Sequence, residues 1–293
     1  VTRAQQDVPQ IPLRDGPAIP QLGYGTLALQ PDREHSDANA EITASVVAEA
    51  LRAGYRHLDS AQSYGTERGV GRAIAESGIA RDELYVTSKL ANPHHRPDDV
   101  RRSFDQTLER LGLDHLDLFL IHWPLPTLYD GDFVSTWRAV AALVDDGRLR
   151  SAGVSNFLPE HLDRIVEETG LVPVVDQVES HPYFQNHETR EACERLGIVV
   201  ETHAPLGHNR EPLSDLEIAR IAAEHGRTPA QVILRWHVQL GDVSIPKSAS
   251  PERMRENLDV FDFTLSAQEM ETIAALDRGA DGRVGPHPAT YEG

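Results

Sequence analysis

Apolar residues recur along the chain in two alternating patterns. Short, nearly continuous runs such as Leu84-Tyr85-Val86-Thr87-Ser88-Lys89 and Leu116-Asp117-Leu118-Phe119-Leu120-Ile121-His122 read as buried strands. Between them, apolar positions three and four apart mark one face of a helix. Ile42, Val46, Val47, Ala50 and Leu51 form one such face, Val70 and Ile74 a second, and Val100, Phe104, Leu108 and Leu111 a third. Gly54, Gly78 and Gly112 fall where these helices should stop, Thr66 where the second would be capped, and Pro97 near the start of the third. Further strands are expected at Gly23–Thr26, Tyr55–Asp59, Arg150–Asn156, Val174–Glu179, Ile198–His203 and Val243–Lys247. Helices follow around Phe133, Trp137, Val140 and Val144, around Leu162, Ile165 and Val166, and around Cys193 and Leu196. A helical pair precedes the last strand, its second member opening on the capping box Thr228-Pro229-Ala230-Gln231. Ahead of the first barrel-type strand, Ile11-Pro12-Leu13 and Ile19-Pro20-Gln21-Leu22 flank Arg14-Asp15-Gly16 as a small hairpin.

Strands each followed by helix imply parallel pairing with right-handed crossovers. A doubly wound sheet and a closed barrel both satisfy that order. Eight units within 293 residues favour the barrel. A dinucleotide-binding open sheet would also need a third glycine after its first strand, and Gly23-Tyr24-Gly25-Thr26-Leu27-Ala28 lacks it. The expected architecture is therefore a (β/α)8 TIM barrel with a short N-terminal β-hairpin and a C-terminal loop over the active-site face. It should form one domain over residues 1–293, with residues 1–10 as a flexible start and 277–293 as the C-terminal loop.

Composition narrows the partners. The formal net charge of −18 argues against nucleic acid or an anionic membrane surface. The single cysteine, Cys193, cannot form an intramolecular disulfide, which suits a reducing compartment. The first residues lack the apolar run of a signal peptide, and Leu116–Pro126 is too short and too polar to span a bilayer. A soluble, cytoplasmic monomer acting on a small molecule is the expectation.

In a barrel the carboxyl ends of all strands open on one face, so residues distant in sequence meet there. Asp59 ends the second strand, with Tyr64 in the turn after it, Lys89 ends the third and His122 the fourth. A phenol with an ordinary pKa near ~10 is a poor acid at neutral pH. Lys89 beside Tyr64 would favour the phenolate, Asp59 would satisfy the buried Lys89, and His122 would orient the substrate oxygen. Such a set is a general-acid site aimed at a carbonyl oxygen. The rival is a metal site made of Asp59, His122, His181 and His203, but no closely spaced His-x-His or His-Glu-x-x-His occurs and no metal is expected. After the eighth strand, Lys247, Ser248, Ser250 and Arg253 gather around a helix opened by Ser-Pro, a phosphate site within an acidic protein.

With these residues on the page, the chain resembles an aldo-keto reductase from Ile11 to about His287. The motifs that carry the likeness are Asp59-Ser60-Ala61 through Tyr64-Gly65-Thr66-Glu67, Thr87-Ser88-Lys89-Leu90, Ile121-His122-Trp123-Pro124, Gly153-Val154-Ser155-Asn156-Phe157, Asp176-Gln177-Val178-Glu179 and the segment Ile245–Asn257. Within the family it looks most like the bacterial 2,5-diketo-D-gluconate reductase group, above all at Arg253 and Glu256 through Phe263.

The resemblance implies an NADPH-dependent reductase of aldehydes or ketones, keto-sugar acids and dicarbonyls among them, with Tyr64 as proton donor. It implies NADPH or NADP+ held by Gly25, Thr26 and Asp59, by Ser155, Asn156 and Gln177 at the nicotinamide carboxamide, and by His203, Pro205, Leu206 and Gly207. Lys247, Ser248 and Arg253 would take the adenosine 2′-phosphate, with Glu256 and Asn257 near the adenine. Tyr24, Ala91, His122 and Trp123 would line the substrate pocket. Two departures from the family pattern stand out. His203 occupies the place of a stacking Tyr or Trp, where a protonatable ring would distinguish NADP+ from NADPH, and Ala91 replaces a frequent Trp. The loop Leu27–Asn39 is longer than usual, and the tail Asp277–Gly293 lies where the family sets specificity. A nucleotide-sensing barrel with negligible turnover is the alternative.

Overall fold

The computed structural model describes residues 8–208 and 211–293; the start of the expected flexible segment 1–10 lies outside the described residues. The hairpin pairs β1 (Gln10–Ile11) with β2 (Ile19–Pro20), Ile11 opposite Ile19. It seals one end of the molecule, with Ile19 packed among Tyr85, Leu118 and Val243. At its turn Gly16 has φ +92°, and a Cβ there would stand 2.0 Å from Ser151 Oγ, so only glycine fits.

Eight strands then alternate with helices. β3 (Tyr24–Gly25), β4 (His57–Asp59), β5 (Tyr85–Leu90), β6 (Leu116–Ile121), β7 (Leu149–Ser155), β8 (Val175–Glu179), β9 (Val199–His203) and β10 (Val243–Ile245) pair in parallel in that order. Ser244 closes the ring by donating its amide to the Gln21 carbonyl at 3.0 Å and accepting from Gly23 at 2.9 Å. Glycine suits position 23 here, because a Cβ would fall 2.7 Å from Nδ1 and 2.9 Å from Cγ of the fully buried His57 ring. Alternate side chains explain the apolar runs. Leu118 and Leu120 face the barrel interior with Val175 and Ile245, while Phe119 and Ile121 pack outward against the helices.

The outer layer comprises α1 (Asp37–Ala53), α2 (Glu67–Ser77), α3 (Pro97–Leu111), α4 (Phe133–Ala141), α5 (Pro159–Thr169), α6 (His187–Leu196), α7 (Leu216–His225), α8 (Pro229–Leu240), α9 (Pro251–Leu258) and α10 (Ala267–Ala274). Gly54, Gly78 and Gly112 terminate α1, α2 and α3 in the left-handed conformation, and Thr228 and Gln231 form the reciprocal cap of α8.

Three local expectations fail. Ile42 is 40% exposed, on the solvent side of α1. Val144 is exposed because the helix tightens to a 3-10 turn after Ala141, which shifts the side-chain period. Thr66 stands before α2 without capping it, since its hydroxyl bonds Ser60 Oγ at 2.9 Å and Thr26 Oγ1 at 3.1 Å.

Candidate active site

Lys89 leaves β5 fully buried, and its Nζ lies 2.6 and 2.7 Å from the two carboxylate oxygens of Asp59 at the end of β4. A third bond reaches the Ser60 carbonyl at 2.9 Å, and Tyr64 Oη stands 3.4 Å away. A buried ammonium is tolerated only when so paired. Burial works against its charge, yet Asp59 and Tyr64 outweigh it and the Lys89 pKa ends above its usual value. Gln177 of β8 donates Nε2 to Asp59 Oδ1 at 2.9 Å, giving the carboxylate a second donor beside Lys89. Tyr64 is 9% exposed. Burial raises its pKa and Lys89 lowers it only in part, so the net shift is upward, a correction to the sequence expectation of a lowered value.

His122, just past β6, meets the Tyr64 ring edge-on with centroids 5.6 Å apart. Burial, then the Lys89 charge, holds its pKa well below the ordinary value, so the imidazole is neutral. Ser63 Oγ lies 3.4 Å from Nδ1, so a hydroxyl donating there leaves the Nε2–H for a ligand. Asn156 donates Nδ2 to the His122 carbonyl at 3.0 Å and to Ser155 Oγ at 3.0 Å, and Ser155 donates to the Gln177 carbonyl at 2.7 Å. The positive φ of Asn156, +62°, is one this residue type adopts readily. His203 Nε2 is 3.0 Å from Asn156 Oδ1, which places its ring on the wall of the cavity rather than in the barrel core. Burial lowers the His203 pKa to about 3, so the ring is neutral at physiological pH. The expected pH-dependent discrimination between cofactor forms therefore has no charged imidazole to drive it.

These groups share a cavity of about 1000 Å³ at the carboxyl ends of the strands. Gly25, Asp59, Tyr64, Ala91, His122, Trp123, Ser155, Asn156, Gln177, His203, Pro205, Leu206, Gly207 and Lys247 all line it. The donor set fits a dinucleotide: a backbone cradle at Gly25, where a Cβ would stand 3.1 Å from Ile245 Cγ2, then amide groups, a ring and an exposed cation. Among the described residues, no group of three or more His, Cys, Asp or Glu side chains is placed to hold a metal ion.

Several sequence assignments are displaced. Tyr24 is fully buried, outside the cavity, and its hydroxyl donates to the Ser248 carbonyl at 2.5 Å, so it does not meet substrate. Thr26 likewise turns inward, donating to the Asp59 carbonyl at 2.9 Å. The Ser248 hydroxyl accepts the Ser250 amide at 3.1 Å and shapes the turn into α9. Glu256 receives the Thr228 hydroxyl at 2.6 Å, and Asn257 is 4% exposed beside the Tyr55 hydroxyl, so both brace α9. Arg253 is exposed on α9, near Lys247 in sequence.

Other lining residues escaped the sequence reading. Arg33 reaches the cavity from the long loop after β3, and Leu128 and Tyr129 from the loop after β6. Loop length was the one signal that could have singled them out. Glu179 ends β8 in the cavity wall; burial raises its pKa, but His181, the Val284 amide, His203 and the Gly285 amide more than offset this and hold it at about 2. Glu201 is buried in the barrel interior, 3.8 Å from His57 Nε2, and burial followed by the nearby Asp59 raises its pKa to about 8. No motif marks that residue.

A barrel with a buried Asp-Lys-Tyr constellation and a neutral histidine at its mouth defines an oxidoreductase-like site. The model of the Aldo/keto reductase family matches residues 21–278. An aldo-keto reductase of Mycolicibacterium smegmatis is 48% identical over 97% of this chain and 98% of its own. Morphine 6-dehydrogenase of Pseudomonas putida is 43% identical over 96% of this chain and 94% of its own. The crystal structure of a Gox0644 mutant in complex with NADPH is 42% identical, covers 98% of this chain and 99% of its own, and superimposes with a TM-score of 0.89. The chain belongs to the aldo/keto reductase family.

Proposed function

We propose that the protein reduces an aldehyde or ketone to an alcohol with NADPH, with Tyr64 as the general acid. The observation that carries this reading is the buried Lys89 ammonium held between Asp59 at 2.6 Å and Tyr64 Oη at 3.4 Å. A phenol with a raised pKa stays protonated through neutral pH and so keeps the proton it must give. Lys89 stabilises the phenolate only as that proton leaves, the differential stabilisation that accelerates a step. Asp59, pinned by Gln177, keeps Lys89 charged and in place. His122, neutral, donates Nε2–H to the carbonyl oxygen and orients it toward Tyr64.

NADPH, when bound, supplies the hydride. Ser155, Asn156 and His203 would hold its nicotinamide, with Gln177 contributing its side-chain amide oxygen. Pro205, Leu206 and Gly207 would flank the chain between the rings, and Lys247 and Arg253 would meet the 2′-phosphate.

Kinship with the 2,5-diketo-D-gluconate reductase group would put keto-sugar acids among the candidates. The likeness to a morphine 6-dehydrogenase adds polycyclic alcohols and ketones, which the absence of a bulky side chain at Ala91 favours. NADPH oxidation with aldehydes, dicarbonyls, keto-sugar acids and polycyclic ketones tests the reading. Cofactor binding without turnover on any of them would favour a nucleotide sensor instead.

A further inference from the structure

After α10 the chain crosses the mouth of the barrel as a strap with a single 3-10 turn, Gly279–Gly282. The first half of this strap is fastened mainly to the turn that follows β8, with an outer ion pair from Arg278 to Glu211 at 2.9 Å. Asp277 Oδ1 accepts the Gln185 amide at 2.9 Å, and the Arg278 amide donates to the Tyr183 carbonyl at 2.9 Å. A Cβ at Gly282 would lie 1.7 Å from the Tyr183 carbonyl oxygen, so the backbone lies flat on that turn. The last fastening is to Glu179. Its two carboxylate oxygens separately accept the amides of Val284 and Gly285, both at 2.8 Å.

Glu179 is 2% exposed, and His181 Nε2 lies 3.2 Å from Oε1. A Cβ at Gly285 would stand 2.6 Å from Oε2, which has little room to retreat within a buried, hydrogen-bonded carboxylate. Past Gly285, the hydrogen bonds of the strap are internal: the amides of Ala289, Thr290 and Tyr291 all return to His287. Pro288 is buried in this stretch, but no hydrogen bond to the barrel is found there among the described residues before the Tyr291 ring meets Trp123, centroids 4.2 Å apart. The placement of Tyr291 therefore depends on the grip at Glu179.

We propose that Glu179 is a positioning residue for substrate selection: it grips the Val284 and Gly285 amides and so holds the strap, with its Tyr291 wall, across the cavity. This rests on the carbonyl-reductase reading of that cavity. A carboxylate suits the task because it presents an acceptor to each of two adjacent N–H groups, whereas an amide offers one acceptor and sets its own N–H against the other.

Two variants loosen the grip from opposite sides. Glu179→Gln keeps the shape and loses an acceptor, and Gly285→Ala leaves the buried carboxylate intact while crowding it from a strap that lies at the surface. Hydrogen–deuterium exchange on the cofactor-free protein reads the grip directly. Peptides covering 284–291 should exchange about tenfold faster or more in both variants, while β5 and β6 keep wild-type protection. The ratio of kcat/KM for a polycyclic ketone to that for a small aldehyde should rise about fivefold, through KM, and Glu179→Gln should add nothing further in a Tyr291→Ala background. Unchanged exchange across 284–291 in both variants overturns the grip. Faster exchange with an unchanged ratio overturns its part in selection. A wild type that oxidises NADPH with no carbonyl compound overturns the reductase reading and with it the selection role, and exchange still judges the grip on its own.

Discussion

Tyr291 lays its ring on Trp123 at a centroid distance of 4.2 Å, the planes inclined by 44°. One ring stands just past β6 and the other comes from the far end of the chain, and both line the cavity near Ala91 and Asn92. Aromatic pairs of this kind contribute roughly 0.5–1.5 kcal/mol beyond buried area, enough to fix a wall but not to make it immovable. Tyr291→Ala should therefore open the cavity and raise kcat/KM for polycyclic ketones about fivefold relative to small aldehydes. Ala91→Trp should act in the opposite sense. Steady-state kinetics on the two substrate classes decides; parallel changes in both classes would mean that neither residue contacts substrate.

Tyr64→Phe removes a hydroxyl and leaves the ring that packs edge-on to His122. Reduction should fall by about 10²-fold or more, the scale of general-acid catalysis, while the dissociation constant for NADPH, read by fluorescence, stays near wild type. Near-normal turnover in this variant would move the proton to another donor, with His122 the next in line.

Cofactor preference should reside on α9. Arg253 is exposed there, and its side chain makes no ion pair among the described residues. NADH lacks the 2′-phosphate that would engage it. Arg253→Ala is thus expected to weaken NADPH by about 10-fold or more, the loss of a charge-assisted contact, and to leave NADH nearly unchanged. Equal losses would assign Arg253 to the pyrophosphate or to the fold.

The barrel was legible because its two periods are unambiguous. Continuous apolar runs such as 118–121 have no polar face to misplace, and the 3.6-residue spacing of Val100, Phe104, Leu108 and Leu111 points all four into the core. Where the period changes within an element, as at Val144, the pattern misleads. The catalytic candidates were legible for a different reason: a barrel sends every strand end to one face, so Asp59, Lys89 and His122 needed only their positions. Side-chain direction at a strand end is not encoded in that way. Tyr24 and Thr26 sit beside Gly25, yet Tyr24 turns to the Ser248 carbonyl and Thr26 to the Asp59 carbonyl. The grip of Glu179 on the strap joins residues 105 and 106 positions apart through backbone amides, which carry no residue signature at all.

Acid stability gives the last test, through histidines kept neutral by the fold. Burial lowers His57 and His95 to about 4 and His203 to about 3, from an ordinary value of 6.5. Below pH 6.5 the unfolded chain takes up these protons while the folded protein does not. The unfolded state then binds more protons, so stability falls as the pH is lowered through the window from 6.5 to about 4. Each such group adds a slope of up to about 1.4 kcal/mol per pH unit. Glu179, lowered from 4.5 to about 2, acts in the same sense below pH 4.5, where its unfolded form protonates first. Glu201, raised from 4.5 to about 8, acts in the opposite sense, because the folded protein holds its proton while the unfolded chain has lost it. Urea denaturation should therefore show the free energy of unfolding rising slightly from pH 8 to 7 and declining from 6 to 5, where the three histidines outweigh that one carboxyl. His203→Gln should shallow that decline. Because His203 stays neutral in the folded state, the ratio of NADP+ to NADPH dissociation constants should not change between pH 8.5 and 5.5 on its account. A ratio that rises with a midpoint near 6.5 in wild type, and not in His203→Gln, would mean that the ring titrates as a solvent-exposed imidazole and that its hydrogen bond to Asn156 Oδ1 does not persist in solution.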